Sequence, residues 1–112
     1  MFGNLGQFAN LLKNAGQIKE NMQGMQQRLA EARFVGEAGG GQVRVTMDGK
    51  LELLEIKIEP QLIAGGDVEM IEDLTCAAVR AAITLSREGA EKELRAATGG
   101  LDLQGMMNML GG

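Results

Sequence analysis

Few side chains in this sequence can carry covalent or proton-transfer chemistry. Cys76 is the sole cysteine, Ser86 lies ten residues on, and there is no histidine at all. A thiol or hydroxyl nucleophile needs an adjacent base, and histidine is the side chain suited to that work near neutral pH. Cys76 sits in "DLTCAAVRAA", an alanine-rich stretch. It is therefore expected as a small core residue rather than a nucleophile. The carboxylates Glu72–Asp73 and Glu91/Glu93 could ligate a hard cation, and Met106, Met107 and Met109 a soft one. On helices such groups are ordinarily a solvated face and a weak packing stripe, so neither a metal nor another cofactor is expected.

A second candidate is "EAGGGQVRVTMDGK", residues 37–50, with three consecutive glycines. A phosphate cradle runs from a strand through glycines into a helix N-terminus, where the amides hold the anion. Here the glycines run into Val43, Val45 and Met47 in alternation, and no Lys-Ser or Lys-Thr pair follows. Gly39, Gly40 and Gly41 are expected to be a slack, mobile connection between two strands. No nucleotide or other small-molecule substrate is expected there.

The cations remain. Lys13 and Lys19 lie in a first helical segment, and Arg87, Lys92 and Arg95 in a second. Residues 1–33 carry a net +2, whereas the whole chain carries −4. The overall sign is wrong for a polyanion partner, but the distribution is uneven. The competing reading is that the second group only forms local pairs, Glu88–Lys92 and Glu91–Arg95, at helical i,i+4 spacing.

The elements that must position these residues follow from the periods. Phe8, Leu11, Ala15, Ile18, Met22, Met25, Leu29 and Ala32 are spaced alternately by three and four. That spacing predicts a helix over about 5–33 with an a/d seam, roughly 43 Å long at 1.5 Å per residue. A period of two then begins. "RFV" (33–35) predicts a short strand and 43–47 a second. Asp48–Gly49 predicts a tight hairpin with φ > 0 at both residues. "KLELLEIKIEP" is the return strand. Its apolar set changes face near Leu53, which predicts a bulge there, and Pro60 ends the strand. Asp67 is the expected N-cap of a second long helix. Ile71, Leu74, Ala78, Ala81 and Leu85 form its stripe, Gly89 is a possible kink, and Gly99–Gly100 is the stop.

The fold class is thus α+β: a long N-terminal helix, a three-stranded antiparallel meander and a long C-terminal helix. A meander of 5–7-residue strands is only about 20 Å long, so the first helix must overhang it. The returning second helix lies beside the overhang, and residues 8–22 are expected to face residues 82–95. All five cations are expected on this projecting two-helix arm. Residues 1–98 are expected to form a single domain and 99–112 a weakly ordered Gly/Met-rich tail. A small core and open strand edges call for a second copy, so a homodimer is expected. One lone cysteine suits a reducing cytoplasm. No run of 18 apolar residues predicts a membrane span, and "MFGNLGQFANLLK" lacks the features of a signal peptide.

These segments resemble a known family. The opening "MFGNLGQFANLLKNAGQIKENMQGMQQRLAE", then "GGGQVRVTMDG", "IKIEPQLI" and "DVEMIEDLTCAAVRAA" stand in the order and spacing of the YbaB/EbfC family of bacterial nucleoid-associated proteins. The resemblance runs from Met1 to about Arg95. It implies a tweezer-like homodimer whose body is made of sheets and helix bases and whose arms are paired helices. It also implies binding of double-stranded DNA, a nucleoid location and an influence on nucleoid organisation and gene expression. Lys13, Lys19, Arg87, Lys92 and Arg95 are then the expected DNA-binding residues, through phosphate contacts. Many members carry Asn-Asp where this chain has Arg80–Ala81, and a more basic second helix than the Glu88–Glu93 stretch provides. The alternative function is a dimeric protein–protein adaptor that uses its heptad helices and has no important DNA contact.

Overall fold

The computed structural model describes residues 2–98. Its elements in chain order are α1 (Phe2–Glu31), β1 (Phe34–Ala38), β2 (Val43–Met47), β3 (Leu53–Ile58), α2 (Pro60–Ala64) and α3 (Val68–Ala97). The strands form one antiparallel sheet in the order β1-β2-β3. This is the α+β meander between two long helices that the periods predict. The short α2 was not expected; Pro60 both ends β3 and occupies the first turn of α2, where its missing N–H is harmless. The Gly/Met-rich tail at 99–112 lies outside the described residues.

The chain divides into two compact units, and each is described by itself. The sheet unit, Arg28–Glu91, contains the core. Val43, Val45 and Met47 point from β2 onto Ala78 and Ala82 of α3, with Leu62 of α2 closing one end. Gly36 of β1 explains why α3 is alanine-rich at that point. A Cβ on Gly36 would overlap Ala78 O and Ala82 N and lie 2.9 Å from Ala81 C. Strand and helix therefore meet backbone to backbone, which only a glycine opposite small residues permits.

That approach corrects the expected stripe of α3. Ala78, Ala82 and Ser86 are its buried residues in this unit, whereas Leu85 is 40% exposed. Ser86 is accommodated because its hydroxyl donates to Asp48 O at 2.7 Å. Gly89 is also explained by contact. A Cβ there would overlap the Phe34 ring, so the glycine seats the ring. α3 runs through Gly89 as one helix. Cys76 is exposed, not a core residue as expected.

One turn of the sheet differs from expectation. The Asp48–Gly49 connection is not a two-residue hairpin with two positive φ values. Asp48 N donates to Glu52 O at 3.0 Å, so the loop spans Asp48 to Glu52. Asp48 Oδ1 accepts from Lys50 N at 2.8 Å and Glu52 N at 3.0 Å. The positive φ falls on Leu51, at 65°. Gly49 is instead required by packing: its N–H donates to Leu29 O at 2.8 Å, and a Cβ would meet Leu29 Cδ2 at 2.6 Å. The glycine triplet connects β1 and β2, as expected. Gly39, Gly40 and Gly41 have φ of 64°, 67° and 93°, and Gln42 N donates to Gly39 O at 3.4 Å. The expected bulge is present: Thr46 pairs with Glu55 but Met47 with Leu53, which leaves Leu54 unpaired.

The helical unit holds the described residues 2–27 of α1 and 92–98 at the end of α3. Asn21 Nδ2 donates to Ala97 O at 3.3 Å, fixing where the two segments meet. Within this unit Asn21, from the expected 8–22 segment, meets Ala97, two residues beyond the expected 82–95 partner segment. Asn21 meets the last residue of α3, and residues 82–91 belong to the sheet unit.

Candidate nucleic-acid interface

Four of the five expected contact residues fall within the helical unit. Lys13 and Lys19 of α1 and Lys92 and Arg95 of α3 all belong to it, and all four are exposed. Arg87, expected beside them, belongs to the sheet unit, because α3 passes from one unit to the other between Glu91 and Lys92. Lys92 and Arg95 are three residues apart and share a side of α3. Lys13 and Lys19 are six apart, so they diverge by roughly 120° around α1 at 3.6 residues per turn.

The division into units also divides the charge. Across residues 2–27 and 92–98 the four cations face only Glu20 and Glu93, a net of +2. Residues 28–91 carry seven cations and twelve carboxylates, a net of −5. The net negative charge of the chain thus lies outside the described helical unit.

Some cations of the sheet unit are engaged locally. In the sheet unit Arg44 Nε lies 3.3 Å from Glu37 and Lys57 Nζ 3.7 Å from Glu55. Arg33 donates to Ala30 O and Ala32 O at 2.9 and 2.8 Å. Among the described residues, Lys13, Lys19, Arg87, Lys92 and Arg95 have no ion pair, and neither Glu88–Lys92 nor Glu91–Arg95 is formed. Their charged ends are available to an outside anion without first breaking a local pair.

The sequence profile of the YbaB/EbfC DNA-binding family matches residues 4–101. The chain belongs to that family. A nucleoid-associated protein of Clostridium novyi is 43% identical over 97 residues, covering 87% of this chain and 85% of the relative. One from Clostridium acetobutylicum is 37% identical over 101 residues, covering 90% of each. Among solved structures, an uncharacterized protein of Helicobacter pylori superposes with a TM-score of 0.63 at 21% identity, over 78% of this chain and 88% of that one. This last likeness shows the fold.

YbaB/EbfC proteins are DNA-binding and non-enzymatic. The side chains agree: the Ser86 hydroxyl is buried and engaged with Asp48 O, with no histidine in the chain to activate it. The glycine triplet joins two strands and opens no helix, so it offers no helical anion site. None of the described helices is long and apolar enough to cross a membrane.

Sequence reasoning missed where the charge boundary falls. The span 1–33 mixes the cations of the helical unit with Arg28, Glu31 and Arg33 of the sheet unit. The signal available was the size of the meander, which limits how far along α1 and α3 the core can extend.

Proposed function

We propose that this protein is a nucleoid-associated protein that binds duplex DNA through phosphate contacts from Lys13, Lys19, Arg87, Lys92 and Arg95. The carrying observation is the division of charge: the helical unit carries a net +2 in a chain whose remainder is acidic. Family membership and the nucleoid-associated relatives support the same reading. Lysine and arginine at phosphates supply affinity and orientation but read no sequence directly. Base stacking adds little, since the chain has no Trp or Tyr and only three Phe.

The working form is a homodimer, which doubles the cations offered to one duplex. Its support is the sheet unit, where Leu53, Leu54 and Ile56 of the edge strand β3 are exposed. Such an edge is ordinarily covered. Light scattering at micromolar concentration should give about twice 11.9 kDa. Influence on nucleoid organisation and gene expression then follows from many weak, sequence-tolerant contacts.

The direct test is Lys13→Glu with Lys19→Glu. The double variant should remain a folded dimer and lose affinity for all duplex sequences alike. Unchanged affinity in a folded dimer would remove the helical unit from the interface.

A further inference from the structure

β3 is an open edge of the sheet. Its pairing shows which main-chain groups are spare. Glu59 N donates to Gln42 O at 2.8 Å. In the antiparallel ladder, Lys57 and Glu55 therefore turn their N–H and C=O groups towards Arg44 and Thr46 of β2. Ile56 and Ile58, in alternation, turn theirs away from β2. An open concavity of about 580 Å³ runs along this side, lined by Ile56, Lys57, Ile58 and Pro60 among others. The side chains alternate too. Ile56 lies on the face that carries Val45, yet it is 42% exposed while Val45 is buried. Glu55 and Lys57 lie on the opposite face, with Lys57 directly beside Arg44. Two like charges side by side across a ladder are unfavourable. Arg44 is engaged by Glu37 at 3.3 Å, and Lys57 reaches its own Glu55 at 3.7 Å.

We propose that β3 pairs antiparallel with β3 of a second copy, centred on Ile56, so that two three-stranded sheets join into one of six strands. This contact rests on the homodimer reading and adds its register. The charges select both occupant and register. Two-fold pairing about Ile56 sets Glu55 opposite Lys57 of the partner subunit and Lys57 opposite Glu55 of the partner subunit. A foreign strand would need the same alternation of charge, whereas a second copy carries it by construction. The pairing also joins the spare N–H and C=O groups of the two Ile56 residues and lays their side chains together on the face of Val45. Other registers do worse. A centre at Glu55 sets two carboxylates opposite each other, and a centre at Lys57 two ammonium groups. A centre at Ile58 brings Pro60, which has no N–H, into the ladder. A centre at Leu54 falls on the bulge.

The test is a cysteine scan of the full-length chain, with Cys76→Ala as background. Ile56→Cys, Glu55→Cys and Lys57→Cys are each oxidised mildly and run on non-reducing gels, beside light scattering of the reduced forms. Facing Cα atoms of a hydrogen-bonded pair are about 5.5 Å apart, within the roughly 4.4–6.8 Å that a disulfide spans. In this register the equivalent atoms at 55, or at 57, lie roughly 8 Å apart, one strand spacing across and two residues along. Ile56→Cys should therefore cross-link almost completely and the other two little. Strongest cross-linking at 55 or 57, or none at 56 in a protein that scatters as a dimer, would overturn this register and leave the homodimer standing. A parent that scatters as a monomer would overturn both. Charge exchange is an independent arm. Glu55→Lys and Lys57→Glu should each weaken self-association about tenfold. An equimolar mixture of the two should recover dimers near parental affinity, because every facing pair is then opposite in charge. A mixture that associates no more tightly than either variant alone would overturn the register as well.

Discussion

Gly36→Ala should be among the most damaging single-methyl changes in this protein. The added carbon overlaps Ala78 O and Ala82 N and lies 2.9 Å from Ala81 C, all main-chain atoms of α3. No side-chain rotation relieves this. β1 and α3 must separate, which loosens Val43, Val45, Ala78 and Ala82 together. Overpacking a filled core costs about 1–3 kcal/mol, and a clash with main chain belongs at the upper end, about 3 kcal/mol. For a domain of this size that lowers the melting temperature by roughly 12–24 °C. Circular dichroism melts at one fixed protein concentration measure it, because oligomerisation otherwise shifts the midpoint. Gly40→Ala is the control: its φ is 67° but nothing lies within 4 Å of the new Cβ. It should cost about 1 kcal/mol, the strain of a left-handed residue alone. If Gly36→Ala costs no more than Gly40→Ala, the close strand–helix approach is wrong.

Three further outcomes follow from the same geometry. Replacing Gly39, Gly40 and Gly41 together with Ser should cost about 3 kcal/mol in total, since all three occupy φ > 0; duplex affinity of the folded variant, read by mobility shift, should stay at the parent value. Asp48→Ala leaves Lys50 N and Glu52 N without their shared acceptor, and urea unfolding should show a loss of about 1–3 kcal/mol. Cys76→Ala, at an exposed site, should change stability by no more than about 0.5 kcal/mol in the same assay, where a buried cysteine would have cost more.

The long elements were legible because their periods are strong. The alternation at Val43, Val45 and Met47 and the N-cap at Asp67, whose Oδ1 accepts from Met70 N at 3.1 Å, read directly from the sequence. What failed was the cause of individual glycines. Asp48–Gly49 carries the spelling of a tight hairpin, yet Gly49 is fixed by Leu29, twenty residues earlier. Gly89 reads as a kink until Phe34 is placed against it. Gly36 inside an apolar strand was the available sign of a close backbone approach, and it shifts the face of α3 from Leu85 to Ser86. These are tertiary facts that no local window contains. At the candidate interface the residue types were legible, but the partition of Arg87 from Lys92 was not, because it depends on where the core ends along α3.

The central claim, duplex binding by a few phosphate contacts, is tested most directly by a salt titration of parent affinity. If a dimer neutralises about four phosphates, log K falls with log salt at a slope near −3.6, roughly a 150-fold weakening between about 50 mM and about 200 mM salt. Affinity that is insensitive to salt, or no detectable binding at the low end of that range, would contradict the account and favour a protein partner for the heptad face of α1.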